Sequence, residues 1–111
     1  MATLEQCRTA LNQLSEQLAA NAEVGGKLDF DRSLACRITD LDAGFHGRLV
    51  DGRIQNLTDG DDPKAKIRMI ISSDDLIELV SGRLDAKRAF ASGRLKIKAS
   101  VFDLLKLQKL L

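Results

Sequence analysis

The sequence predicts an α+β fold, with a five-stranded, mainly antiparallel sheet covered by helices on one face. Stretches in which polar and apolar residues alternate, as in strands, lie among stretches whose apolar residues recur every three or four positions, as in helices. The predicted order is a helix, four strands, two helices, a fifth strand and a last helix. No repeat, low-complexity tract or linker interrupts the pattern, so we expect one domain over residues 1–111.

The first helix is predicted over residues 3–22. Thr3 and Gln6 have the spacing of a capping box, in which each side chain bonds the other residue's backbone N–H. Residues 24–26, Val-Gly-Gly, end the helix, and the sequence gives no clear prediction for residues 27–32. The apolar side of this first helix consists of Leu4, Cys7, Leu11, Leu14 and Leu18.

Three strands are predicted next, over residues 33–39, 45–50 and 53–57. Asp51 and Gly52 separate the second from the third, and this residue pair favours the type I′ turn of a tight hairpin. A two-residue turn at this point places Leu49 opposite Ile54, on the same face of the sheet. Residues 58–64 are rich in Asp and Gly and are predicted to be a loop.

Residues 66–99 are predicted to form a strand, two helices and another strand with little loop between them. The first strand, over residues 66–71, alternates in polarity, and so does the second, around Ile97. Serine and aspartate are favourable N-caps, and glycine commonly ends a helix. The predicted caps and ends are Ser72 or Ser73 with Gly82 for the first helix, and Asp85 with Gly93 for the second.

The last helix, predicted over residues 100–111, is apolar around most of its circumference. Asp103, Lys106 and Lys109 are three residues apart and form one narrow polar stripe. A surface helix normally buries a single apolar stripe, so this one needs a second apolar contact. That contact could come from the sheet together with another helix, from a partner subunit or from a lipid.

Composition argues against several functions. The chain has no Trp and no Tyr, and stacking platforms for single-stranded nucleic acid use aromatic rings, so no nucleic-acid partner is expected. No apolar run approaches the roughly 18 residues of a membrane span, and no signal peptide is evident, which favours a cytoplasmic location. The acidic loop at residues 59–62 lacks the glycine and distal glutamate of a calcium-binding EF-hand.

Catalytic and metal-binding residues are scarce. His46, the one histidine, lies in a predicted strand without a neighbouring catalytic motif and is interpreted as exposed or hydrogen-bonded. Cys7 and Cys36 fall on the apolar sides of their elements, which favours buried thiols; a disulfide or redox role is the alternative. We therefore expect no enzymatic activity, no cofactor and no metal.

Charge is distributed unevenly along the chain. Residues 1–82 carry nine basic and fourteen acidic side chains, whereas residues 83–111 carry eight basic and two acidic ones. The C-terminal quarter is therefore +6 and the remainder is −5. A basic face could contact anionic lipid headgroups or the phosphates of an acyl-coenzyme A. Solvated strand faces and helix flanks are the alternative interpretation.

The last 45 residues contain three characteristic segments in succession, namely Ser81-Gly82-Arg83-Leu84, Ala89-Phe90 and Ser92-Gly93-Arg94-Leu95-Lys96-Ile97. This run resembles the sterol-carrier-protein family, whose members transfer lipids non-specifically. In that family a helix ends in a Thr/Ser-Gly-Lys/Arg-Leu turn, a short helix contains Ala-Phe, and a Gly-Lys/Arg-Leu-Lys-Ile strand leads into a leucine-rich helix. Ala86, residues 99–100 and Asp103 depart from the common pattern, and Asp103 could alter the mouth of a cavity.

This resemblance implies a non-catalytic module that holds a fatty acyl chain, an acyl-coenzyme A or a sterol-like ligand in an apolar tunnel walled by the sheet and the last helix. The alternatives are a module that dimerises or docks through the same apolar surface, and an accessory domain that delivers lipid to an enzyme. The oligomeric state is left open. The tunnel candidates are Met69, Ile71, Leu76, Ile77, Val80, Phe90, Leu95, Ile97, Val101, Phe102, Leu104, Leu105 and Leu107, and the candidates for headgroup or membrane contact are Arg83, Lys87, Arg88 and Arg94.

Overall fold

The computed structural model describes residues 1–24 and 31–108, and its α+β architecture confirms the predicted fold class. Within these residues a five-stranded sheet forms one layer, and four helices pack against one of its faces. We call this the covered face and the opposite one the open face. The elements are α1 (Leu4–Val24), β1 (Asp31–Ile38), β2 (Ala43–Val50), β3 (Arg53–Asp59), β4 (Ile67–Ile71), α2 (Ser73–Val80), α3 (Ala86–Ser92), β5 (Leu95–Lys98) and α4 (Val101–Gln108).

The strand order is β3-β2-β1-β4-β5. Neighbouring strands are antiparallel except for the central pair, β1 and β4, in which Leu34 lies beside Ile67 and Ile38 beside Ile71. The prediction of a mainly antiparallel sheet is therefore confirmed. The parallel pair forms because β4 returns, after β3 and a loop, to the side of β1 that β2 leaves open.

The predicted hairpin has the predicted register. Asp51 and Gly52 have φ angles of +51° and +85°, the left-handed backbone that a type I′ turn requires at both positions. Leu49 pairs with Ile54, as a two-residue turn dictates. The hairpin thus forms around the tight turn that the Asp51-Gly52 pair favours.

A β-bulge in the same hairpin changes which residues face the helices. The register shifts opposite Gly47, and Asn56 adopts a positive φ of +57° there. A side chain at Gly47 would place its Cβ 2.6 Å from the Gln55 carbonyl oxygen, so only glycine fits. Because the bulge adds one residue to β3, Leu57 rather than Asn56 joins the core on the covered face.

The helix ends carry the predicted caps. Thr3 and Gln6 exchange backbone-to-side-chain hydrogen bonds of 2.8 and 3.1 Å. The Ser72 hydroxyl accepts a hydrogen bond from the backbone of the first turn of α2, and the Asp85 carboxylate does the same for α3. Gly93 ends α3 with φ +81°, which a side chain would strain.

The core lies between the helices and the covered face. Its larger part joins α1, through Cys7 and Leu11, to α2, the base of α3 and the sheet. A smaller cluster around Leu18, Leu49 and Ile67 lies at the far end of α1, and Leu107 of α4 packs against it. By contrast, α4 makes only sparse contact with the other described elements.

The observed boundaries differ from the predicted ones by at most two residues where both can be compared. Strand β1, for example, begins at Asp31 instead of Ser33, and α1 continues to Val24. The predicted helix-ending glycines at positions 25–26 and the last three residues, 109–111, lie outside the described residues. None of the described helices is both long and apolar enough to cross a membrane.

Candidate functional site

An apolar cavity of about 80 Å³ lies between α1 and the covered face of the sheet. All five strands contribute to its walls, and the helices close it with aliphatic side chains. The bulge described above places Gly47 and Leu57 in this wall. The lining residues are Leu11, Leu14, Leu18, Leu34, Cys36, Phe45, His46, Gly47, Leu49, Ile54, Leu57, Ile67, Met69, Leu79, Leu95, Ile97 and Leu107.

A second, larger cleft of about 520 Å³ lies between α3, β5 and α4. Leu95, Ile97 and Leu107 line both this outer cleft and the inner cavity, so these three side chains form the partition between them. The other walls of the outer cleft are apolar except for Lys87. The remaining lining residues are Ala86, Lys87, Phe90 and Leu104.

The thirteen tunnel candidates from the sequence divide into three groups. Six line one or both cavities: Met69, Phe90, Leu95, Ile97, Leu104 and Leu107. Four belong to the solid core or pack against it, namely Ile71, Leu76, Ile77 and Val80. The other three, Val101, Phe102 and Leu105, line neither cavity and face solvent.

The orientation of α4 explains why those three residues face outwards. Asp103 is only 4% exposed, and one of its carboxylate oxygens accepts a hydrogen bond of 3.2 Å from Nε of Arg32 on β1. The Asp103 backbone N–H donates to the hydroxyl of Ser100, which caps the helix. A buried carboxylate needs such a partner, so the ion pair draws the polar side of α4 inwards and leaves its opposite, apolar side in water.

The four basic candidates lie on the surface around α2 and α3. Arg83 pairs with Glu78, and Arg94 pairs with Asp75, whose pKa it lowers from the ordinary value by hydrogen bonding. Lys87 lines the outer cleft, while Arg88 on the same helix is exposed. Lys87 is thus the basic candidate that lies at an apolar cavity.

Two polar side chains, a thiol and an imidazole, belong to residues that line the inner cavity. Burial raises the pKa of the Cys36 thiol to about 12, which keeps the thiol protonated near neutral pH. His46 donates a hydrogen bond of 2.8 Å from Nδ1 to the carbonyl oxygen of Gly60. Among the described residues, no group of three or more His, Cys, Asp or Glu side chains is placed to hold a metal ion. Most of the surface that lines the inner cavity is therefore aliphatic.

The candidate set drawn from the sequence omits thirteen of the seventeen residues that line the inner cavity. Its walls include Leu14 on α1, Leu34 on β1 and Ile54 on β3, all outside the region that carries the resemblance. Their signal was present in the sequence, as the apolar side of the first helix and the apolar positions of the first strands. The same pattern describes any solid core, so periodicity alone does not distinguish residues that line a cavity from residues packed in the core.

Comparison with known proteins agrees with this architecture. The model of the SCP-2 sterol transfer family matches residues 9–111. The mouse (Mus musculus) peroxisomal multifunctional enzyme type 2 is 45% identical over 47 residues, which are 42% of this chain and 6% of that protein. The chain therefore matches only a small part of this relative.

Two solved structures illustrate the likeness of the fold. The solution structure of sterol carrier protein domain 2 of Helicoverpa armigera superposes with a TM-score of 0.64 at 22% identity, covering 98% of this chain and 89% of that one. The sec-alkylsulfatase Pisa1 from Pseudomonas sp. contains a region with a TM-score of 0.60 at 21% identity, covering 87% of this chain and 14% of the enzyme. With the family model matching nearly the whole chain, these findings show that the chain belongs to the SCP-2 sterol transfer family.

Proposed function

We propose that residues 1–111 form a non-catalytic domain that binds and transfers a single lipid, holding its tail between the sheet and the helices. The observation that carries this proposal is the pair of adjacent apolar cavities, which share Leu95, Ile97 and Leu107 as lining residues. Displacement of those side chains joins the cavities into one tunnel that runs from α1 to the surface between α3 and α4.

The small size of the inner cavity means that a lipid tail enters it only after this displacement. Sites for drug-sized ligands typically enclose about 300–1,000 Å³, so the inner cavity of about 80 Å³ is too small for a long chain. The outer cleft is large enough, and α4, which forms one of its walls, is sparsely packed. Outward movement of α4 is the least costly way to admit a lipid, because it disrupts little of the core.

The chemistry of the walls favours affinity without strict selectivity. Each buried methylene contributes about 0.8 kcal/mol, so a chain of sixteen carbons gains roughly 12 kcal/mol before the costs of association and ordering. Those costs leave an affinity in the micromolar range or somewhat tighter. Few directional groups line the walls, so a fatty acyl chain, an acyl-coenzyme A and a sterol-like molecule are all accommodated.

The polar end of the ligand lies at the outer cleft in this proposal. Lys87 lines that cleft and provides a cation for a carboxylate or a phosphate. Arg88 adds positive charge nearby, for the headgroup or for brief contact with an anionic membrane. Arg83 and Arg94 belong to the same basic region, but Glu78 and Asp75 offset their charges. The tail then occupies the aliphatic interior beneath α1.

Delivery of lipid to an enzyme is the second candidate function. The mouse relative that this chain matches over 6% of its length is named as a multifunctional enzyme, and a sec-alkylsulfatase contains a region of the same fold. Such neighbours support a role in which the domain presents a lipid to a catalytic partner. This role uses the same tunnel and differs from free transfer only in the recipient.

Native mass spectrometry of gently purified protein tests the proposal most directly. We expect the protein to carry copurified lipid, or to take up one equivalent of palmitate when it is first delipidated. Displacement of a fluorescent fatty acid then gives the affinity. A protein that stays empty and saturates with no acyl ligand would contradict lipid binding, and a stable empty dimer would favour an interaction module.

A further inference from the structure

The outward side of α4 forms an exposed apolar surface beside the outer cleft. Val101, Phe102 and Leu105 are 70%, 79% and 54% exposed and share one side of the helix. Phe90, 52% exposed, lies across the cleft on α3, and Leu104 next to Leu105 lines the cleft with it. Two exposed phenylalanines around one opening are unusual in a chain that contains four.

The ion pair of α4 maintains this exposure. The helix could bury its apolar side by rotating, but rotation would expose Leu107 and separate Asp103 from Arg32. Both contacts therefore oppose the rotation that would bury the apolar surface. None of the described residues covers it.

The charges around the surface indicate the chemistry of its partner. Between residues 86 and 107 the sequence has six basic side chains and a single acid, Asp103, which is buried. Lys87 and Arg88, within one turn of Phe90, are exposed and have no ion-pair partner among the described residues. An apolar surface with unpaired cations at its rim is complementary to an anionic lipid interface.

We propose that Val101, Phe102, Leu105 and Phe90 insert into the surface of an anionic bilayer, with Lys87 and Arg88 contacting its headgroups. This docking places the mouth of the outer cleft against the membrane, where a lipid can enter or leave without crossing water. The relevance to exchange rests on the function proposed above, whereas the docking itself does not require an occupied tunnel.

A second copy of the chain fits the surface less well. In a twofold dimer the same patch contacts itself, which would bring Lys87 and Arg88 of both subunits together. Four side chains also provide far less than the roughly 1,000 Å² that a stable interface buries. A bilayer needs no such area, because a few inserted side chains and nearby cations suffice.

Sedimentation with sucrose-loaded vesicles tests the docking, using phosphatidylcholine with or without 30% phosphatidylserine. We expect the protein to bind the acidic vesicles and to release them as salt rises. Phe102→Gln should weaken binding at least fivefold, and Lys87→Gln with Arg88→Gln about 25-fold, at roughly fivefold per cation. The matched control is Lys96→Gln with Lys98→Gln, an equal charge change on the open face, which should alter binding less than twofold.

Three results would overturn the proposal. The first is an equal loss of vesicle binding when Lys87 and Arg88 or Lys96 and Lys98 are replaced. That result would mean that net positive charge, and not a defined surface, attracts the protein to the vesicles. The second is unchanged binding by Phe102→Gln, which would exclude insertion of α4. The third is a dimer in analytical ultracentrifugation that Phe102→Gln dissociates, which would assign the surface to a second copy.

Fatty-acid displacement by the same variants separates this proposal from the function above. Phe102 lines neither cavity, so Phe102→Gln should retain its affinity for a fluorescent fatty acid while losing its affinity for vesicles. Failure of docking with intact lipid affinity would reject the membrane surface alone. Failure of wild-type protein to bind the fatty acid, with docking intact, would reject the carrier function alone.

Discussion

Replacing Leu107 or Leu76 by alanine should separate ligand binding from folding. Leu107 lies in the partition between the two cavities and is half-buried on a sparsely packed helix. Leu76 is fully buried in the core and lines neither cavity. The same chemical change is thus made once at the proposed tunnel and once in the solid core.

The magnitudes follow from burial. Truncating a fully buried leucine typically costs 2.7–5 kcal/mol, and we expect a loss of about 3 kcal/mol for Leu76→Ala. A half-buried leucine loses roughly half of the transfer free energy, so Leu107→Ala should cost about 1 kcal/mol of folding stability. A bound acyl chain that passes the partition loses contact for about two methylenes, or roughly 1.5 kcal/mol, which weakens binding about tenfold.

Urea unfolding and displacement of a fluorescent fatty acid measure the two effects on the same samples. We expect Leu107→Ala to bind about tenfold more weakly with a small loss of stability. Leu76→Ala should bind nearly as well as the wild type at a temperature where it remains folded. If both variants lose affinity in proportion to stability, Leu107 is an ordinary core residue and the tunnel argument is wrong.

Three further predictions concern the fold. The Ser73 hydroxyl and backbone N–H hydrogen-bond the Asp40 carboxylate and lower its pKa below the ordinary 3.8, so Asp40→Asn should reduce the free energy of unfolding at neutral pH. That difference should be constant above about pH 5 and should shrink in acid-unfolding titrations as the pH falls through the lowered pKa, because protonation then removes the charge from Asp40. Gly52 has φ +85°, so Gly52→Ala should cost about 1 kcal/mol in urea unfolding, and no loss would contradict the turn assignment. Cys7 and Cys36 are buried free thiols, so both should resist thiol reagents until urea unfolds the chain, and thermal melts with and without reductant and chelator should superimpose.

The features that the sequence predicted correctly are local ones. The hairpin register depends on two adjacent residues, Asp51 and Gly52, and the cap of α2 depends on Ser72 and the three residues after it. In such cases the interacting groups are close in sequence, so their chemistry determines the geometry before any tertiary contact forms. The α+β class could be predicted for the same reason, because the spacing of apolar residues within each element is typical of either a helix or a strand.

The features that could not be predicted depend on partners far apart in sequence. The inward orientation of Asp103 requires Arg32, 71 residues earlier, and a helical period says nothing about that pairing. The place of β4 beside β1 is equally non-local. For the site, an apolar pattern identifies buried residues but does not reveal where packing leaves space, which is why Leu14 and Leu34 were missing from the candidates.

The central parallel pair has a consequence for how the domain folds. The hairpin between β2 and β3 closes across two residues, whereas β1 meets β4 only when Leu34 and Ile67, 33 positions apart, come together. Loop-closure entropy makes such a contact slow to form, so the β1–β4 seam should be established after the hairpin. Destabilising substitutions along the seam should then mainly accelerate unfolding, while those in the hairpin turn should mainly slow refolding. The sheet is, in kinetic terms, two antiparallel units joined late along its middle.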